Sequence, residues 1–68
     1  MIYRHFKGDL YETLYEGRHT ETKEELVVYK PLNSEKIEIR PKKMFYEMIK
    51  IDNTYIRRFE PVHKRSEL

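Results

Sequence analysis

Charged and apolar residues alternate strictly in Lys36-Ile37-Glu38-Ile39-Arg40, and that commits the stretch to an extended strand. Only a period of two sends both isoleucines to one side and the three charges to the other. The pattern predicts Ile37 and Ile39 pointing inward. Residues 10–16 show a looser alternation and end at Gly17, as in a strand with one wet face. Glu25-Leu26-Val27-Val28-Tyr29-Lys30 carries the central apolar run of a strand covered on both sides, and Pro31 stops it. Between these two runs, residues 18–24 read as a hairpin loop, and Asn33-Ser34-Glu35 as a second turn. Residues 46–51 and 55–59 form a last hairpin around Asp52-Asn53-Thr54. Pro41-Lys42-Lys43-Met44-Phe45 reads as one helical turn with proline in its first position, kept short because two lysines oppose the macrodipole there.

Alanine and glutamine, both strong helix formers, are absent, while Val, Ile, Thr, Tyr and Phe dominate the uncharged positions. The expected fold class is therefore all-β, with five to six short strands and one short helical turn. Closure into a small barrel would protect the edges that an open sheet of this size exposes. The core is expected from Leu14, Leu26, Val28, Ile37, Ile39, Phe45, Ile49 and Phe59. With 68 residues there is room for one domain, expected over residues 1–60, followed by a flexible tail over residues 61–68. A chain this short builds a groove or shallow dish more readily than an enclosed cofactor pocket.

Charged residues make up 38% of the chain and apolar residues another 38%, a mixture that describes a globule rather than a disordered tail. No stretch approaches the roughly 20 apolar residues of a membrane span, and Met1-Ile2-Tyr3-Arg4-His5 is unlike a signal peptide. A cytoplasmic location without membrane contact is expected. The lack of cysteine excludes a disulfide framework or a thiolate site and fits a reducing compartment. The net charge of +2 is unevenly spread: residues 1–34 hold 5 basic and 6 acidic side chains, and residues 35–68 hold 9 and 6. That bias is weaker than dedicated nucleic-acid binders show.

Four segments in order, Tyr3-Arg4-His5-Phe6-Lys7-Gly8 with Leu10-Tyr11, Arg18-His19-Thr20-Glu21-Thr22, Leu26-Val27-Val28-Tyr29, and Arg40-Pro41 with Met44-Phe45, resemble a bacterial family known as domain of unknown function 1653. Arg58-Phe59 adds a fifth match. The resemblance covers about residues 3–59 and implies a small SH3-like barrel with no established activity. One departure stands out. Where the family leads one to expect an aromatic residue, often tryptophan, shortly before the Arg-Pro pair, this chain has Ile37-Glu38-Ile39.

The candidate ligand-binding residues are Tyr3, Arg4, His5 and Lys7 in the first segment, Arg18, His19, Thr20 and Glu21 in the second, and Arg40. A neutral histidine beside a carboxylate can act as a general base, and flanking Arg and Lys can hold an anion. Against this, polar loop residues commonly satisfy backbone groups of their own turn. His5, His19 and His63 lack metal-ligand spacing, so no metal or cofactor is expected. Ser34 and Ser66 lie in a turn and the tail, outside any glycine-flanked elbow, and no catalytic nucleophile emerges. The six tyrosines exceed what so small a core needs, and beside Lys42, Lys43, Arg57 and Arg58 they form an alternative surface for nucleic acid or peptide. Acidic residues interrupt that basic half. The expected function is a binding or accessory module for a small anionic ligand, with a peptide or protein partner or nucleic acid as other occupants. The alternative is a small enzyme with His5 or His19 as base, Glu21 as orienter, and Arg4 or Arg18 as anion clamp.

Overall fold

The computed structural model describes residues 1–62. Seven strands and one helical turn follow one another as β1 (Ile2–His5), β2 (Leu10–Arg18), β3 (Glu25–Pro31), β4 (Glu38–Pro41), α1 (Lys42–Phe45), β5 (Met48–Ile51), β6 (Thr54–Arg57) and β7 (Phe59–Pro61). The fold is all-β, with one strand more than the expected maximum of six. Pro61, where the tail was expected to begin, is the last residue of β7, and residues 63–68, with His63 and Ser66, lie outside the described residues.

The strands form two antiparallel sheets, a five-stranded one in the order β4-β3-β2-β1-β7 and a separate β5-β6 ribbon. Among the described residues β4 and β7 remain the edges of the larger sheet rather than pairing with each other. Asp52 and Asn53 close the ribbon with φ of 51° and 66°, the left-handed pair that a tight two-residue hairpin turn requires.

Cross-strand partners share a face, so the register decides which residues meet. Tyr3 lies opposite Tyr11, His5 opposite Phe59, Thr13 opposite Tyr29, and Glu38 opposite Tyr29. That face is the inner one. Its core is Tyr3, Val27, Tyr29, Phe45 and Phe59, with Tyr11 packed against it. The helical turn lays Phe45 flat on Phe59 at 4.1 Å, and Tyr29 meets both rings edge-on. Edge-to-face packing of this kind lets aromatic residues fill a small core while their hydroxyls reach its margin. A bulge at Leu14 offsets β2, so that Thr13 pairs with Tyr29 but Tyr15 pairs with Val28.

The expected core needs correction. Phe45 and Phe59 are buried, but Leu14, Leu26, Val28 and Ile49 are half-buried, and Ile37 and Ile39 are 54% and 62% exposed. Ile39 pairs with Val28 and Glu38 with Tyr29, so the inward residues of β4 are Glu38 and Arg40. The alternation was real and its direction was reversed. β3 directs Val27 and the large Tyr29 ring into the core, and an edge strand must follow the parity of its neighbour.

Candidate functional site

β1 is joined to β2 by a short turn, and the geometry of the site follows from that connection. Arg4 pairs with Leu10, so His5 sits beside the start of β2, whereas Arg18 and the loop after it lie at the far end of that nine-residue strand. At ordinary strand rise the separation is roughly 25 Å. His5 and the Arg18, His19, Thr20 and Glu21 group therefore occupy opposite ends of the sheet.

The distal loop has its own account. His19 Nδ1 accepts the backbone N–H groups of Glu21 and Thr22 at 3.1 and 3.2 Å, and Thr22 Oγ1 accepts that of Glu24 at 3.2 Å. The imidazole thereby serves as an acceptor for backbone donors left over by the turn. Glu21 is exposed, and an acid-base pair of Glu21 with His5 is excluded by distance.

In the first segment, Arg4 lies on the outer face of β1 and is exposed, away from His5. Tyr3 is buried, with its hydroxyl 3.5 Å from that of Tyr46. This contact and burial hold the Tyr46 phenol well above its ordinary pKa. His5 is half-buried among Phe6, Tyr11 and Phe59, with ring centroids at 4.5, 6.1 and 4.9 Å. Its Nδ1 accepts the Lys7 backbone N–H at 3.2 Å, which leaves Nε2 to carry the proton of the neutral ring.

Arg40, from β4, joins His5 on the inner face. Its Nε donates to the Tyr29 hydroxyl at 3.2 Å, and its guanidinium carbon lies 5.8 Å from the centre of the Phe59 ring. Burial lowers the His5 pKa from 6.5, and the positive charges of Arg40, Arg58 and Lys7 lower it further, with Asp9 alone opposing them. Tyr11 shifts the other way: burial, then Glu38 and Asp9, keep its phenol protonated beyond the usual range. His5, Tyr11 and the Arg40 guanidinium all lie against the Phe59 ring, at 4.9, 5.5 and 5.8 Å, which gathers three groups able to donate hydrogen bonds at one rim of the core. A polar cleft of about 370 Å³ opens beside Tyr11, bounded by Gly8, Asp9, Leu10, Pro31 and Asn33. A larger cleft of about 460 Å³ lies between Tyr46, Lys42, Lys43, Glu24 and Glu25, away from the histidine.

Sequence reasoning missed Tyr11 and Arg58 as neighbours of this rim. The Arg58 guanidinium is only partly satisfied: its Nε is buried with no hydrogen-bond partner among the described residues, while Nη2 lies 3.4 Å from Glu47 Oε2. The signal that could have pointed to Arg58 is its place directly before the buried Phe59. The alternative basic surface is divided. Lys42 pairs with Glu16 and Glu25 at 3.0 and 3.6 Å, Lys43 is exposed on α1, Arg57 lies on the β6 ribbon, and Arg58 pairs with Glu47. Among the described residues no group of His, Asp or Glu is placed to hold a metal ion. Among the described residues no helix is long and apolar enough to cross a membrane.

The family model described as "Protein of unknown function (DUF1653)" matches residues 1–61. A crystal structure of a protein belonging to DUF1653 from Bordetella bronchiseptica is similar, with a TM-score of 0.79 and 33% identity over 97% of this chain and 90% of that one. No curated protein matches the sequence. The family model spans all the segments that carried the resemblance, from the Tyr3-Arg4-His5 strand to Arg58-Phe59, and with it the rim around His5: this chain belongs to the DUF1653 family.

Proposed function

We propose that the domain binds a small oxyanion, a carboxylate or phosphate, at the rim formed by His5, Tyr11 and Arg40. The observation that carries this reading is the gathering of the half-buried His5, Tyr11 and the Arg40 guanidinium around the Phe59 ring, at 4.9, 5.5 and 5.8 Å, where the nearby cations keep His5 neutral. Cations placed around a neutral imidazole do not stabilise one another, and an anion among them relieves the repulsion. The donor set fits. His5 offers Nε2–H, Tyr11 its hydroxyl, and Arg40 the guanidinium N–H groups not engaged by Tyr29. Asp9 and Glu38 oppose binding, and they favour a ligand that accepts hydrogen bonds on one side and leaves those carboxylates wet. The open five-stranded antiparallel sheet with an aromatic core on one face supports reading the fold as an opened relative of the SH3-like barrel, a scaffold that carries ligands on its open rim rather than inside.

The test is calorimetric titration with small mono- and dicarboxylates, inorganic phosphate and nucleoside monophosphates. At least one should bind, and Arg40→Gln should weaken it about tenfold or more, as the loss of a charge-assisted pair does. A full panel without heat or thermal stabilisation, or equal affinity in Arg40→Gln, rejects the reading.

A further inference from the structure

His5 and Arg40 each have a carboxylate for a neighbour. The His5 backbone N–H donates to the Asp9 carbonyl at 2.8 Å, which carries the β1–β2 register one pair past Arg4 and Leu10 and sets Asp9 across from His5 on the inner face. Glu38 stands two residues before Arg40 on the same face of β4, opposite Tyr29. The ion pairs among the described residues are those of Lys42 with Glu16 and Glu25 and of Arg58 with Glu47, so neither Asp9 nor Glu38 has a cationic partner there. Both are exposed, both act on the Tyr11 phenol, and Asp9 acts on His5 as well. Asp9 and Tyr11 also bound the polar cleft of about 370 Å³, together with Asn33.

We propose that the ligand of this rim is a free α-amino acid, its carboxylate taken by Arg40 and His5 and its ammonium group turned toward Asp9 and Glu38. The inference rests on the oxyanion reading above and adds the ligand's other pole. A plain oxyanion binds there against two carboxylates, whereas an ammonium group on the same molecule turns both from opponents into partners. Spacing sets the two poles close together. Residues two apart on a strand lie about 7 Å apart at Cα, and a hydrogen-bonded cross-strand pair about 5.5 Å, so each donor and its carboxylate are side-by-side neighbours rather than opposite walls. A ligand that meets both must therefore carry its charges on one carbon or on adjacent ones. The cleft lies at the small end of the roughly 300–1,000 Å³ that ligand sites span, which suits a short polar side chain better than a nucleotide.

Calorimetric titration of the full chain with matched pairs tests this: L-alanine against propionate, and L-serine against 3-hydroxypropionate, each pair differing only in the ammonium group. The amino acid should bind about tenfold more tightly than its partner. Asp9→Asn combined with Glu38→Gln, both at exposed positions that leave the core intact, should reverse the order, weakening alanine and tightening propionate at unchanged circular dichroism. Equal affinity within each pair, or a preference for the amino acid that survives in the double variant, overturns the inference while the oxyanion reading stands. Ethylamine that matches alanine also overturns it, since the carboxylate would then contribute nothing. Absence of binding by every member of both pairs removes the amino-acid inference, and the wider panel of carboxylates and phosphates then judges the oxyanion reading separately.

Discussion

Tyr29 shows how much a single side chain decides here. Its ring fills the centre of the core between Tyr11, Phe45 and Phe59, and its hydroxyl at the margin accepts the Arg40 Nε. One residue thus ties the packing to the candidate site. Phe59 binds the same parts together from the other side, stacked on Phe45 and met edge-on by His5 and Tyr11. Truncating it to alanine should cost about 3–5 kcal/mol, close to the whole stability of a domain this small. Ile39→Ala, by contrast, should change stability by no more than about 0.5 kcal/mol, because the side chain is 62% exposed. Urea denaturation of the two variants checks the contrast, and a large loss at Ile39 would mean that the two faces of β4 have been interchanged. The isoleucines misled because alternation gives two faces without naming the inner one.

At the scale of elements, the connections were legible because turn chemistry is local. The loop after β2, the turn before β4, the single helical turn after Pro41 and the ribbon turn at Asp52 and Asn53 all fall where polar and glycine- or proline-containing stretches place them. One of these connections carries strain. Lys23 sits at φ 68°, a left-handed conformation that an ordinary side chain adopts at a cost, beside the His19 ring that closes the same loop. Lys23→Gly should raise stability by about 0.5 kcal/mol or more, read as a higher denaturation midpoint at unchanged slope. A lower midpoint would show that the lysine side chain holds the loop in some other way. The bulge at Leu14 was not legible, since nothing local marks it. It arises where the long β2 must keep register with both β1 and β3.

For the molecule as a whole, the site couples stability to pH through His5. Its folded pKa lies below 6.5, so below that pH the unfolded chain binds more protons than the folded one. The contribution of neutral His5 is therefore complete above pH 6.5 and is lost as pH falls through the lower folded value. Thermal melts should show wild type losing more stability on acidification through this window than His5→Gln. Parallel curves for the two proteins would remove His5 from the cationic cluster. Composition and periodicity by themselves determined that this chain is all-β, where its main turns and its single helical turn fall, and which polar residues deserved testing, because those properties depend on neighbours within a few positions. Only the tertiary structure decided which face is buried, that His5 meets Arg40, and that His19 and Glu21 stand a strand's length away. Those outcomes depend on register between strands distant in sequence, and register is chosen by how the large rings of Tyr3, Tyr29, Phe45 and Phe59 fit together.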